Sequence, residues 1–385
     1  MFGIQTLNKI SPAGLNKFGE GYTCGDQVQN PDAVLVRSAS MHEMEFPSSL
    51  KAIARAGAGV NNIPVDKCSE MGIVVFNTPG ANANAVKELV IAALLLSSRK
   101  IVQGIEWTKT LKGEGANISK LVEKGKSSFV GPEIRGKKLG VIGLGAIGIL
   151  VANAASALGM EVYGYDPYLS VNAAWDLSHK THHALTLDEI YSNCDYITVH
   201  VPLTPDTKEM INKDTLATMK DGVRILNFAR GDLVNTADVL DALKSGKMAA
   251  YVTDFASEAL LGAENVIVTP HLGASTPESE DNCASMAASE LIDFLENGNI
   301  KNSVNMPTVE MPRVGASRIC VIHKNIPNML TQISAIVSKA GINIENMQSV
   351  SKKDYAYTIL DTSDVVEDEG RLRAIDGVVS VRIIH

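Results

Sequence analysis

The sequence predicts an α/β protein with two doubly wound parallel-sheet domains and a C-terminal domain of ferredoxin-like βαββαβ order. Three observations predict this fold class. Short apolar runs alternate with helical stretches over most of the chain, and a glycine-rich turn at Gly143–Gly148 joins one such run to a helix. A proline-bearing stretch, residues 304–312, then precedes a tail with a different order of elements. Repeated strand–helix units form parallel sheets covered by helices on both faces.

In the N-terminal part, continuous apolar runs that end at Gly, Asn or Pro are typical of buried parallel strands. Such runs are residues 33–36, 52–54 and 73–76, and helical periodicity follows over 85–96. The stretch 104–136 is polar and interrupted by glycines, so we expect it to be a linker or hinge.

The central part repeats this alternation around the glycine turn. Its predicted elements are, in order, strand 138–142, helix 147–158, strands 161–165 and 196–201, helix 214–219, strand 224–227, helix 237–245, and strands 249–254 and 265–269. A long amphipathic helix over 281–296 ends at Asn297-Gly298, which is a common helix stop.

The tail has its own order of elements, which is the ferredoxin-like one. It reads strand 318–321, helix 329–339, strands 342–349 and 355–362, helix 366–374 and strand 378–384. We therefore expect three domains: residues 1–90 completed by 286–305, residues 91–285, and residues 313–385.

Composition excludes several classes of function. The 385 residues carry a formal net charge of −8, whereas nucleic-acid-binding domains carry basic patches. No apolar run reaches the roughly 20 residues that cross a bilayer. The five cysteines are odd in number, and no two are spaced as in a metal or redox motif. We therefore expect a cytoplasmic protein with reduced thiols and with no nucleic-acid, membrane or metal partner.

The spacing Gly143-x-Gly145-x-x-Gly148 is that of a dinucleotide-binding turn. The first glycine allows the tight turn, the second lets the backbone approach a pyrophosphate, and the third allows close helix packing. Asp166 ends the next predicted strand, 18 residues after Gly148, and neither of the two following residues is Arg or Lys. A carboxylate there accepts hydrogen bonds from ribose hydroxyls and repels a 2′-phosphate, so the pattern predicts NAD rather than NADP.

Two further side chains directly follow predicted parallel strands, Arg230 and His271. The carboxyl ends of such strands are where α/β sheets bind ligands. A guanidinium grips a carboxylate with two parallel hydrogen bonds, and a histidine is a suitable base near neutral pH. Taken alone, Arg230 is equally compatible with a surface or capping role. We expect Glu258 to be the carboxylate beside His271, and Asp254 to face the cofactor.

Six segments together resemble the D-isomer-specific 2-hydroxyacid dehydrogenase family. In chain order they are Gly57–Asn62, Asn77–Pro79, Gly143–Gly148, His200–Pro205, Asn227–Gly231 and Pro270–Thr276. The resemblance implies NAD-dependent oxidation of a hydroxy acid, in which an arginine binds the substrate carboxylate and a glutamate assists a catalytic histidine. Family members place that glutamate five residues after the aspartate that matches Asp254, where this chain has Ala259. Glu258 matches it only after a one-residue deletion.

The resemblance also implies ligand contacts. For the cofactor they are Thr78, Gly143, Gly145, Ala146, Ile147, Gly148, Asp166, His200, Val201, Pro202, Phe228, Ala229, Arg230, Asp254, His271, Gly273 and Ala274. For the substrate they are Arg37, Ser38, Gly59 and Asn82. The charge of Arg55 suits it to hold a phosphate together with Arg37, and a simple surface role fits Arg55 equally well.

Residues 318–385 resemble the ACT domain, an amino-acid-sensing module. It is often fused to family members that oxidise 3-phosphoglycerate in the first step of L-serine biosynthesis. The resemblance therefore implies 3-phosphoglycerate as substrate, a homodimer or homotetramer, and L-serine as an effector at His323, Asn325 and Asn343. Asn328 stands where a glycine is usual, and asparagine tolerates a left-handed backbone better than most residues.

Two other functions fit the same residues. The substrate could be another D-2-hydroxy acid, which a panel of substrates distinguishes. The chain could instead be an NAD-sensing, corepressor-like binding protein on the same fold, and formation of NADH separates an enzyme from such a protein.

Overall fold

The computed structural model describes residues 1–367 and 369–385, and the chain divides into two compact units. The first unit comprises Met1–Asn82 together with Thr276–His385, and the second comprises Ala83–Ser275. The two boundaries lie at the starts of two long helices, α3 (Ala83–Arg99) and α11 (Pro277–Asn297), each of which belongs to one unit. The predicted domain limits near residues 90 and 285 stay a prediction. Each unit is described by itself below.

The first unit contains a five-stranded parallel sheet in the order β2-β1-β3-β4-β5. Its strands and short helices are β1 (Phe2–Leu7), α1 (Pro12–Leu15), β2 (Tyr22–Gly25), β3 (Ala33–Val36), β4 (Ala52–Arg55), α2 (Val65–Glu70) and β5 (Val74–Phe76). The predicted strands β3 to β5 are confirmed. The sequence does not predict β1 and β2, because they lie at one edge of the sheet and only Ile4 among their residues is buried.

The C-terminal part of the first unit is a four-stranded antiparallel sheet in the order β14-β15-β13-β16. Its elements are β13 (Ser317–Lys324), α12 (Met329–Lys339), β14 (Ile344–Lys352), β15 (Tyr355–Thr362), α13 (Glu369–Arg373) and β16 (Val378–Ile384). The βαββαβ order is confirmed. Residue 368, within the predicted helix 366–374, lies outside the described residues.

This C-terminal sheet packs on the rest of the first unit. Side chains of β13 and β15 share one hydrophobic core with Phe294 of α11 and with Ile300. The hydroxyl of Tyr357 donates to the carbonyl oxygen of Gly298 at 2.6 Å. The buried guanidinium of Arg318 binds Asp361 and also donates to the Asn297 carbonyl at 2.7 Å. Because of this packing, the C-terminal sheet belongs to the first unit.

The second unit is built on a seven-stranded parallel sheet in the order β12-β11-β10-β9-β6-β7-β8. Its strands are β6 (Lys138–Ile142), β7 (Glu161–Tyr165), β8 (His182–His183), β9 (Tyr196–Val199), β10 (Val223–Asn227), β11 (Met248–Thr253) and β12 (Val266–Val268). Its helices besides α3 are α4 (Ile101–Thr110), α5 (Ile118–Gly125), α6 (Ala146–Ala157), α7 (Val171–Asp176), α8 (Leu187–Asn193), α9 (Lys213–Thr218) and α10 (Thr236–Lys244).

One prediction for the second unit is wrong. The stretch 104–136, expected to be a linker or hinge, contains most of α4 and all of α5. The rings of Trp107 and Phe129 lie 5.2 Å apart, so aromatic contact stabilises a segment whose glycines suggested irregular structure. Among the described residues, no helix is long and apolar enough to span a membrane, and no group of three or more His, Cys, Asp or Glu side chains is placed to hold a metal ion.

Candidate active site

The glycine turn between β6 and α6 has the geometry of an anion-binding cradle. Gly143 has a φ of 92°, and a Cβ at this position would lie 2.7 Å from the His200 carbonyl oxygen. A Cβ on Gly148 would overlap the carbonyl oxygen of Gly143, whereas the space around Gly145 is open. The N-terminus of α6 carries no side-chain cap. Its N–H groups and dipole therefore remain for an anion, so the turn fits the NAD pyrophosphate.

Asp166 lies beside this turn, just after β7. Its Oδ2 accepts a hydrogen bond from the Leu144 N–H at 2.9 Å, and its Oδ1 accepts one from the Tyr168 N–H at 2.8 Å. These two bonds fix the carboxylate. Because each carboxylate oxygen has two lone pairs, it can still accept a bond from a ribose hydroxyl.

Arg230 is presented by a turn that follows β10. Asn227 is buried and shapes this turn: its Nδ2 donates to the Arg230 carbonyl at 2.8 Å, and its Oδ1 accepts from the Ala229 N–H at 3.2 Å. Thr253 on the neighbouring strand donates to the Asn227 carbonyl at 2.9 Å. The guanidinium of Arg230 is exposed and donates to the Ala229 carbonyl at 2.6 Å. The sequence analysis places Asn227 in one of the family segments but gives its side chain no role, although asparagine at a strand end is a turn signal.

His271 is paired with Asp254. The ring Nδ1 of His271 lies 3.2 Å from Asp254 Oδ2, and the two side chains are 64% and 1% exposed, respectively. Burial raises the pKa of Asp254, while the charges of His271 and Arg230 act in the opposite direction. The second oxygen, Oδ1, has no hydrogen-bond partner among the described residues. The ring of Phe255 stands edge-on to the imidazole with centroids 5.3 Å apart.

The carboxylate paired with His271 is Asp254, and the predicted assistance from Glu258 stays a prediction. Glu258 is exposed, and the described hydrogen bonds and ion pairs of His271 do not include it. The physical reason is local: Asp254 directly follows β11, at the sheet edge where β12 also ends, whereas Glu258 lies further along in the turn that joins these strands. The carboxylate that touches the histidine is therefore Asp254, the residue that the sequence assigned to the cofactor.

The other predicted cofactor residues of the second unit also follow the strands of its sheet. His200 comes just after β9, and burial lowers its pKa from the usual value to about 4, so its ring is neutral near pH 7. Its Nε2 lies 2.9 Å from the Thr198 hydroxyl. The remaining members lie in the α6 turn or after β9, β10 and β12, and are Ala146, Ile147, Val201, Pro202, Phe228, Gly273 and Ala274.

The first unit holds the predicted substrate residues. Arg37 follows β3 and Arg55 ends β4, and Arg55 Nε donates to the Arg37 carbonyl at 3.0 Å. The guanidinium of Arg37 is ion-paired with Glu280 of α11 at 2.6 Å, both side chains being about two-fifths exposed (41% and 43%). The guanidinium of Arg55 packs against Gly57, where a Cβ would lie 2.6 Å from Nη1.

Four more predicted ligand residues lie in the first unit. The Ser38 N–H donates to Asn8 at 3.0 Å. Gly59 lies in the loop after β4, and Asn82 is the last residue before α3. Thr78, predicted to touch the cofactor, is fully buried, and its hydroxyl has no hydrogen-bond partner among the described residues.

The predicted effector residues are not joined into one site by their recorded hydrogen bonds. His323 is 3% exposed, and its ring bonds the Lys324 carbonyl at 2.8 Å and the Thr358 hydroxyl at 2.9 Å. Burial lowers its pKa. Asn325 and Asn343 donate to other protein oxygens, Lys353 O and Glu345 Oε1 respectively. Both ring nitrogens of His323 thus have hydrogen-bond partners within the protein. Asn328 has a φ of 71°, so the left-handed turn is retained without glycine.

Comparison with known proteins identifies the family. The model described as "D-isomer specific 2-hydroxyacid dehydrogenase, NAD binding domain" matches residues 91–273. A D-3-phosphoglycerate dehydrogenase from Haemophilus influenzae is 32% identical over 357 residues, which cover 89% of this chain and 83% of that relative. The chain belongs to the D-isomer specific 2-hydroxyacid dehydrogenase family. NAD is accordingly the cofactor of the second unit.

Two further likenesses define the extent of the match. A D-3-phosphoglycerate dehydrogenase from Bacillus subtilis is 36% identical over 329 residues, 80% of this chain, and the chain covers 60% of that relative's length. The solved structure of the NAD⁺-bound 3-phosphoglycerate dehydrogenase of Entamoeba histolytica is 26% identical with a TM-score of 0.60. The match covers 79% of this chain and 98% of that one. This likeness confirms the predicted α/β fold.

Proposed function

We propose that the chain is an NAD-dependent dehydrogenase that oxidises D-3-phosphoglycerate to 3-phosphohydroxypyruvate, the first step of L-serine biosynthesis. One observation carries the chemistry: Asp254 is buried against His271 and within electrostatic reach of Arg230 in the unit that bears the glycine turn. A base, its carboxylate and a cation for the substrate therefore belong to one cluster. The substrate itself is supported by the phosphoglycerate dehydrogenases that the chain resembles.

His271 is the proposed acid–base residue. Its Nδ1 faces Asp254, which leaves Nε2 to accept the proton of the substrate C2 hydroxyl. NAD, when bound, supplies the acceptor for the hydride that leaves C2. Asp254 orients the ring and stabilises the imidazolium that forms, as a carboxylate does for a neighbouring histidine in other enzymes. In the reverse direction the same imidazolium returns the proton.

Arg230 is the proposed partner of the substrate carboxylate. One of its amino groups already donates to the Ala229 carbonyl, and this bond holds the side chain near its own turn. The remaining N–H groups of the guanidinium bind a carboxylate in a forked, two-bond geometry. A substrate carboxylate bound to Arg230 would place C2 of the substrate beside the base, His271.

Arg37 and Arg55 are the proposed partners of the phosphate. Arg37 directly follows β3 and Arg55 ends the neighbouring parallel strand β4, and the two are connected by the bond from Arg55 Nε to the Arg37 carbonyl. Two guanidinium groups at neighbouring strand ends match the charge of a phosphate dianion. Ser38, Gly59 and Asn82 complete the proposed substrate set.

The proposal also includes an effector and an assembly. His323, Asn325 and Asn343 are the proposed contacts for L-serine, and both ring nitrogens of His323 already have protein partners. A homodimer or homotetramer is supported by exposed apolar side chains on α4 and α5, namely Ile101, Ile105 and Ile118. Serine titration against activity, with Asn343→Ala as control, and sedimentation of the pure protein test these two parts.

Formation of NADH tests the function as a whole. The purified protein is incubated with NAD and either D-3-phosphoglycerate, D-lactate or D-2-hydroxyglutarate. We expect NADH with D-3-phosphoglycerate at a kcat/KM well above that with the other two acids. Preference for an unphosphorylated acid would assign another D-2-hydroxy acid as substrate, and NAD binding without turnover of any acid would favour an NAD-sensing binding protein.

A further inference from the structure

A carboxylic acid is buried in the middle of the long helix α11. Glu290 is 7% exposed, and its Oε1 accepts a hydrogen bond from the side-chain amide of Asn302 at 2.7 Å. Its Oε2 has no hydrogen-bond partner among the described residues. Burial of an acid with one oxygen unsatisfied costs free energy, so its presence calls for a reason.

The bond from Asn302 is the first of a series that leads to the proposed substrate loop. The backbone carbonyl of Asn302 accepts from the Asn77 N–H at 3.3 Å, and the side-chain amide of Asn77 donates to the Ala58 carbonyl at 2.6 Å. The next residue, Thr78, donates its N–H to the Gly57 carbonyl at 3.2 Å. The N-terminal half of the loop is therefore fixed from the side of Asn302 and Glu290.

The loop requires such support because its backbone is intrinsically flexible. It contains Gly57, with a φ of 151°, and Gly59, and glycine has more backbone freedom than any other residue. Its far end is held separately, since Met41 donates to the Asn62 carbonyl at 2.8 Å and the His42 ring bonds the Asn61 carbonyl at 2.9 Å. The N–H groups between these two anchors are the ones available to a substrate.

We propose that Glu290, Asn302 and Asn77 are positioning residues, which hold the loop Gly57–Asn62 in the form that binds the substrate. This inference rests on the proposed function, which assigns Gly59 to the substrate. None of the three side chains touches the reacting atoms. They act by lowering the freedom of the loop before the substrate arrives, so their loss raises KM more than it lowers kcat.

The proposal also involves the protonation state of Glu290. Burial raises its pKa from the usual value to about 8, while the Asn302 amide and the positive charge of Lys301 act in the opposite direction. Lys301 itself is exposed and lies 3.7 Å from Glu310. Below about pH 8 the acid is uncharged. Above it, a charged oxygen without a hydrogen-bond partner among the described residues lies in the core, so we expect the packing of α11 on the Asn302 segment to loosen as the acid ionises.

Hydrogen exchange of the peptide that spans residues 57–62 tests the proposal without substrate. The wild type is compared with Glu290→Gln, which retains the acceptor for Asn302 but does not ionise, and with Glu296→Gln, an exposed acid on the same helix. After correction for intrinsic exchange, we expect exchange to rise about tenfold between about pH 7 and about pH 9 in the wild type and in Glu296→Gln. We expect no such rise in Glu290→Gln.

Steady-state kinetics give the second readout. Asn302→Gly removes the amide and tolerates the φ of 55° at this position. We expect it to raise KM for D-3-phosphoglycerate about tenfold with kcat within about twofold of wild type. Equal exchange in wild type and Glu290→Gln at both pH values, or an unchanged KM in Asn302→Gly, overturns the proposal. Absence of turnover in the wild type refutes the proposed function instead, and the exchange result still decides the role of Glu290.

Discussion

The two units hold their candidate functional side chains in opposite ways. In the second unit Arg230 and His271 are exposed, while the groups that hold them, Asn227 and Asp254, are buried. In the first unit the candidate phosphate ligand Arg37 is already ion-paired with Glu280. The second unit therefore has its reactive groups in place before a ligand binds. In the first unit, a ligand bound by the Arg37 guanidinium would compete with an existing internal contact.

This difference has an energetic side. A buried carboxylate next to a histidine interacts in a medium of low dielectric constant, where charge interactions are strong. An exposed ion pair such as Arg37–Glu280 contributes only about 0.2–1 kcal/mol. Substitutions at Asp254 and His271 should accordingly have large effects on kcat, whereas loss of the exposed Arg37–Glu280 pair should have a small effect on KM.

The largest effect is expected at His271. In His271→Ala the base for the C2 hydroxyl is lost, so kcat should fall by about 10²–10⁴-fold. The affinity for NAD, measured by fluorescence titration of NADH, should change little. A near-normal kcat in this variant would show that His271 is not the base. The proposed difference between the two units would then have no support.

The next effect distinguishes the two carboxylates near His271. Asp254→Asn removes the charge that orients and stabilises the imidazolium, and we expect kcat to fall by at least about 10²-fold. Glu258→Gln is the matched control and should stay within about twofold of wild type, since its side chain is exposed. A larger loss in Glu258→Gln than in Asp254→Asn would restore the glutamate to the pairing that the family pattern suggests.

Parts of the fold and site that depend on local pattern could be predicted from the sequence. The glycine turn, Asp166 and the strands around them follow from residue spacing within about thirty residues. The contact between His271 and Asp254 could not be predicted, because it depends on how the sheet brings together the ends of β11 and β12. The pairing of Arg37 with Glu280 and the burial of Glu290 also escaped prediction. Both depend on how α11 packs against strands far away in sequence.

Glu290 gives a smaller effect that concerns stability. Because its folded pKa, about 8, lies above the usual value for an unfolded chain, its stabilising contribution is complete below about pH 4.5 and is lost progressively as pH rises to about 8. Glu290→Gln should therefore gain thermal stability relative to wild type across this window, by an amount on the order of a few kcal/mol at its upper end. Melting temperatures at several pH values measure the difference. A difference that does not change with pH would contradict the raised pKa.

The smallest effect is expected at Glu280. Its carboxylate competes with an incoming phosphate for Arg37, so Glu280→Gln should lower KM for D-3-phosphoglycerate about two- to fivefold, the factor that corresponds to an exposed ion pair. The neighbouring acid of the same helical turn, Glu278, provides the control, and Glu278→Gln should leave KM unchanged. The effect should weaken with added salt, because partly exposed charges are screened. An unchanged KM in Glu280→Gln, together with a raised KM in Arg37→Met, would mean that Arg37 binds the phosphate without displacing Glu280. The ligand-binding groups of the first unit would then be in place before the ligand binds, as in the second unit.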